Sequence, residues 1–136
     1  MKIQVDKSRT IADLQQEFNA CYPYLKLVFF TKSHKAYKNS PAKFLIHDNN
    51  TKLEALEGNP HDGVLYLEED MPTWQVERLF EETFGLHVQV FRKCGNTWLE
   101  TTISDDMNLE EQNVKGKTSE NKQFEFVDPL DYRETR

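Results

Sequence analysis

Residues 63–102 read GVLYLEEDMPTWQVERLFEETFGLHVQVFRKCGNTWLETT, and this stretch decides the fold. Val64–Glu68 is rich in apolar β-formers and reads as a strand. Pro72 suits a first helical turn. Val76, Leu79/Phe80 and Thr83/Phe84 then recur at helical spacing, with Trp74 extending the stripe. Gly85 is placed to stop that helix in the left-handed conformation. Leu86–Arg92 is the returning strand. Lys93-Cys94-Gly95-Asn96 leads into Thr97–Thr102, which predicts a hairpin with Gly-Asn at its tip.

The same grammar stands at the start of the chain. Lys2–Val5 alternates as a short strand does, and Thr10-x-x-Asp13 approximates a capping box. Ile11, Leu14, Phe18 and Cys21/Tyr22 line one helical face, Pro23 ends the helix, and Leu25–Thr31 returns as a strand. Laying 2–30 over 64–92 without a gap puts Phe18 on Phe80 and Val28 on Val90, although only three of the 29 pairs are identical. The overlay also pairs Phe29 with Phe91. Yet the first unit fits best with Leu25, Leu27 and Phe29 inward, and the second with Val88 and Val90 inward, so the two units disagree about which face is core.

Two such units in series predict an α+β fold, a ferredoxin-like β-α-β-β-α-β two-layer sandwich with an added C-terminal β-hairpin strand. A β-grasp or another mixed α+β sheet is the alternative. The expected organisation is one α+β domain over 1–112, with β-α-β repeats at 2–30 and 64–92 and an insertion at 33–62. Within that insertion Phe44–His47 is an apolar run able to pair with the preceding strand, and Leu53–Leu56 suits a helical turn. Residues 113–136 are expected as a polar, partly mobile C-terminal segment, with 115–123 a linker and Phe124–Val127 a short alternating run.

The chain of 136 residues is long enough for one core. Surface scaling puts about two-thirds of the unfolded surface out of water. Sixteen aromatic residues are too many for a disordered chain. No window approaches the length of an apolar membrane span, and MKIQVDKSRT lacks a signal-peptide core, so a cytoplasmic location without a membrane is expected. The net charge of −6 disfavours bulk nucleic-acid binding, but it hides an asymmetry. Residues 1–43 carry eight Lys/Arg against three Asp/Glu; the remainder carries nine against twenty.

Catalytic motifs are absent from the sequence. Cys21 and Cys94 form no C-x-x-C pair, and His34, His47, His61 and His87 have no metal-ligand spacing. His47-Asp48 and His61-Asp62 flank the insertion and are the nearest thing to a metal or catalytic constellation. No G-x-S-x-G elbow or glycine-rich phosphate loop occurs. The adjacent carboxylates (Glu68-Glu69-Asp70, Glu81-Glu82, Asp105-Asp106, Glu110-Glu111) point apart and suit solvated surface. No catalytic residue, metal or cofactor is expected.

Two features point to binding. A two-residue turn at Gly95-Asn96 sets Lys93 opposite Trp98 and Phe91 opposite Glu100, which leaves Phe91 and Trp98 on the sheet face away from the helices. Exposed aromatics there would dock a protein partner or a second copy. The second feature is the basic run 32–43, where Lys32, Lys35, Lys38, Lys43 and Tyr37 stand without any acid. That run is the alternative site, for single-stranded nucleic acid or a phosphorylated ligand.

Overall fold

The computed structural model describes residues 1–31, 42–56, 62–102 and 104–121. Strand β1 (Lys2–Val5) leads into helix α1 (Ile11–Cys21) and strand β2 (Leu25–Phe30). Short 3-10 turns follow at Ala42–Phe44 and Leu53–Ala55. Strand β3 (Gly63–Tyr66), helix α2 (Thr73–Phe84) and strand β4 (His87–Cys94) form the second β-α-β unit. Strand β5 (Thr97–Glu100) and helix α3 (Leu109–Asn121) complete the order. The fold is mixed α+β.

The strands form two antiparallel ladders and not one sheet. β1 pairs with β3, with Ile3 opposite Leu65. β2 pairs with β4, with Leu27 opposite Val90 and Val28 opposite Gln89, and β4 pairs in turn with β5. The single sheet of a ferredoxin-like plan is therefore not seen, because β2 gives its ladder edge to β4. Its other edge is met by the insertion. Thr31 N–H donates to the Phe44 carbonyl at 2.8 Å, and Ile46 N–H donates to the Phe29 carbonyl at 3.0 Å.

Both ladders turn apolar residues toward one core. Ile3, Val5, Leu65 and Leu67 share it with Leu25, Leu27, Phe29, Val88 and Val90. α1 contributes Ile11, Leu14 and Phe18, and α2 contributes Val76, Phe80 and Phe84. The conflict over faces is settled by one residue in the helix-to-strand turns. α1 reaches β2 through Tyr22-Pro23-Tyr24, whereas α2 reaches β4 through Gly85-Leu86 alone. Gly85 takes a positive φ of 67°, so its N–H bonds the Glu81 carbonyl while Leu86 N–H reaches back to Phe80, a left-handed helix stop. The shorter turn shifts β4 by one residue, so Val88 and Val90 meet the core where Leu27 and Phe29 do.

The two halves are held by matching bonds. Leu53 N–H donates to the Arg9 carbonyl at 2.9 Å, and Leu109 N–H donates to that of Met71 at 3.0 Å. Ile11 N–H donates to Thr51 (3.0 Å), and Thr73 N–H to Met107 (3.1 Å). Glu54 N–H donates to Lys7 (3.2 Å), and Glu110 N–H to Glu69 (3.0 Å). Leu53 and Leu109 are both fully buried beneath these clasps. Side chains at matching helix positions also bind the strand edges. Gln15 Nε2 donates to the Leu27 carbonyl, and Glu77 Oε2 accepts from Val90 N–H, both at 2.8 Å.

The helix starts follow local rules. Thr10 Oγ1 accepts from Asp13 N–H while Thr10 N–H donates to the Asp13 carboxylate at 2.9 Å, a capping box. That backbone hydrogen bond holds the Asp13 carboxyl below its usual pKa. A depressed carboxyl stabilises the fold above its unfolded pKa, and the benefit disappears as pH falls through the folded value. Asp13→Asn is expected to flatten the loss of stability below about pH 4. Urea midpoints of the two proteins at pH 7 and pH 3 measure this, and an unchanged acid slope would contradict it.

α3 departs from the sequence reading. Residues 115–121, expected as linker, complete a helix that has almost no apolar stripe. Its start is a second capping box, between Asn108 and Glu111. Farther along, Asn113 Oδ1 accepts from Tyr24 N–H at 2.9 Å, and Ser119 Oγ donates to the Lys93 carbonyl at 3.0 Å. Gly116 lies so close to Tyr24 that an added Cβ would come within 2.8 Å of the Tyr24 Cβ. Ser104–Glu111 reads as a capped helical turn and Leu109 there is buried, but beyond it polar anchors and one missing side chain hold the helix, so periodicity gave no sign of its continuation.

Candidate functional site

Cross-strand register builds the candidate surface. Lys26 lies opposite Phe91, Phe91 opposite Glu100, and Lys93 opposite Trp98. Since strand side chains alternate, these five residues share the face that points away from Val88 and Val90. Phe91 and Trp98 are both half-buried. The Lys26 ammonium stands 5.5 Å from the Trp98 ring centroid and the Lys93 ammonium 5.8 Å. Both fall within cation–π range, so the indole carries two positive charges beside it.

The rest of this face is closed. Val28, Phe30 and Gln89 alternate onto it and are buried, Gln89 completely. The Gln89 amide has no hydrogen-bond partner among the described residues. The aromatic pair is thus the rim of a covered surface and not the centre of a bare one. Among the described residues, large apolar side chains are most exposed elsewhere: Tyr66 at 64% and Val64 at 38% on β3, and Val114 on α3. Strand alternation held the signal for Tyr66, which lies between inward Leu65 and Leu67, but the reading followed the hairpin aromatics.

Lys32, Lys35, Tyr37 and Lys38 lie outside the described residues, as do His34 and His61. The Lys43 backbone belongs to the 3-10 turn Ala42–Phe44. His47 and Asp48 are exposed. The Asp48 carboxylate accepts from Asn50 N–H at 2.9 Å and serves a local turn, whereas that of Asp62 accepts from the distant Lys7 N–H at 3.0 Å. Among the described residues no three His, Cys, Asp or Glu side chains converge to hold a metal ion. Nor is any described helix long and apolar enough to cross a membrane. Cys21 and Cys94 are free thiols.

A feature that sequence reasoning missed is a cavity of about 330 Å³ between the two halves. Phe44, Ile46 and Leu56 line it from the first half, and Gly85, Leu86 and His87 from the second. His87 Nδ1 lies 3.2 Å from the Glu81 carboxylate. The cavity arises where the insertion crosses the α2–β4 turn, a juxtaposition that no local pattern encodes. Compared with family models, with curated proteins and with solved structures, the chain finds no match.

Proposed function

We propose that the chain is a non-catalytic, cytoplasmic protein-interaction module that uses the sheet face around Phe91 and Trp98. The observation that supports this reading is the Trp98 indole, half-buried and flanked by two ammonium groups. An aromatic ring with a desolvated edge and adjacent cations suits an acidic or aromatic segment of a partner. Glu100, opposite Phe91, gives the rim one negative position and so a direction of docking.

Quenching tests the surface before any partner is in hand. In a Trp74→Phe variant, Trp98 is the sole indole, and Lys26 and Lys93 would concentrate an anionic quencher beside it. Iodide is expected to quench its fluorescence more strongly than caesium at equal ionic strength. Equal resistance to both would sink the reading. Trp98→Ala is then expected to abolish capture of a partner without loss of the folded circular dichroism spectrum. The other source of affinity, the basic run 32–43, predicts binding of a labelled single-stranded oligonucleotide that weakens steeply with salt. Such binding, unaffected by Trp98→Ala, would move the function to that run.

A further inference from the structure

We propose that the cavity between the halves is a docking groove for an amphipathic helix of a partner protein, one that presents a large apolar side chain. The argument comes from the matching halves. Residues 24, 92 and 112 in the second clasp correspond to 85, 31 and 56 in the first, by the same offsets that align the strands and the clasp bonds. In the second clasp this place is occupied. α3 runs on beyond Leu109, its Gln112 Oε1 accepts from Arg92 Nη1 at 2.8 Å, its Asn113 accepts from Tyr24 N–H, and Gly116 packs against Tyr24.

In the first clasp Leu53 opens a single 3-10 turn, Leu53–Ala55. Only five residues separate Leu56 from Asp62, whose carboxylate is tied to Lys7 N–H. They are too few to repeat the span from Asn113 to Asn121. The groove that α3 fills on one side is the cavity on the other. Its chemistry has changed accordingly. Gly85 stands where Tyr24 would, which removes a side chain and deepens the floor. Thr31 and Leu56 replace the Arg92–Gln112 pair, so the walls ask for apolar contact and not for a buried hydrogen bond. The volume of about 330 Å³ is at the small end of ligand pockets, on the scale of one or two anchoring side chains. The complementary helix therefore carries a bulky anchor where α3 carries Gly116.

The groove's lining includes none of Lys26, Phe91, Lys93, Trp98 and Glu100, so the two surfaces can be tested independently. The probe is a random peptide library displayed on phage and selected on the immobilised full chain. Ala55 lines the cavity yet is exposed, so Ala55→Trp fills the groove without disturbing the core. The recovered peptides are expected to show apolar anchors spaced i, i+3/i+4, i+7 and to gain helicity on binding. Ala55→Trp should weaken them about tenfold or more, as loss of a central anchor pocket does, whereas Trp98→Ala should leave them unchanged. Matching melting curves for Ala55→Trp and the parent chain secure the comparison. Peptides indifferent to Ala55→Trp, or peptides that bind equally well with a central proline, would overturn the proposal. So would a failure to recover any peptide. A dimer of the parent chain that Ala55→Trp dissolves in sedimentation equilibrium would assign it to a second copy.

Discussion

Replacing Gln112 with alanine is expected to cost about 3 kcal/mol of folding stability, with the m-value unchanged. Gln112 is fully buried and its side-chain amide makes three hydrogen bonds. Its Oε1 accepts from the Arg92 guanidinium at 2.8 Å, and its Nε2 donates to the Ser104 carbonyl and hydroxyl at 2.9 and 3.1 Å. Arg92 is itself 2% exposed, so truncation removes a charge-assisted bond from a guanidinium shut away from water. Removing one partner of a buried polar pair costs more than removing both, because the remaining group stays desolvated. Gln112→Glu should recover part of the loss, since the carboxylate still accepts from Arg92 but donates nothing to Ser104. Urea titrations of the three proteins give the order directly. A cost below about 1 kcal/mol for the alanine variant would show that α3 is not anchored through Arg92.

The second large effect lies in the core. Phe80→Ala is expected to cost about 3–5 kcal/mol, the range for deleting a fully buried aromatic ring. Phe80 has no exposed surface and meets Phe29 edge to face, with ring centroids 6.5 Å apart. Phe18 occupies the matching position on α1, is equally buried, and stacks at a tilt on Tyr22 at 5.3 Å. Phe18→Ala should therefore cost a similar amount. Both halves share one core, so each variant should still unfold in a single transition detected alike by Trp fluorescence and circular dichroism. Two separated transitions in either variant would show that the halves unfold independently.

Much of the fold was legible because its signals are local. The stripe Ile11, Leu14, Phe18 needs only helical spacing, and Gly85 needs only a helix end. The Thr10–Asp13 box needs four residues, and the hairpin register needs a two-residue turn. What escaped depends on residues far apart in sequence. β2–β4 pairing is a choice among partners that alternation alone cannot rank, since Val28 and Val90 read as strand residues whichever neighbour they take. The core faces of β2 and β4 were both legible, and only the reason they differ was not: one residue of turn length, Tyr22-Pro23-Tyr24 against Gly85-Leu86. α3 is nearly polar all round, and its anchors, Tyr24, Arg92 and Lys93, lie on other elements. The candidate surface was legible only in part. Register placed Phe91 and Trp98 on one face, but the burial of Val28, Phe30 and Gln89 beside them is a tertiary fact.

The order of strand pairing has a consequence on the ribosome. The clasp between residues 7–11 and 51–54 can close as soon as the first half has emerged, because all its bonds lie within that half. β1 and β2 cannot find their ladders so soon. Ile3 waits for Leu65, and Leu27 waits for Val90. Through that interval of synthesis β2, with Leu25, Leu27, Val28, Phe29 and Phe30, presents an unpaired apolar edge. Gln15 and Asn19 of α1 reach the carbonyls of Leu27 and Leu25 on the edge that β4 does not use. They are made with the first half, as are Phe44 and Ile46, so this one edge of β2 can be covered early. The edge that β4 later takes stays open until the second half has been made.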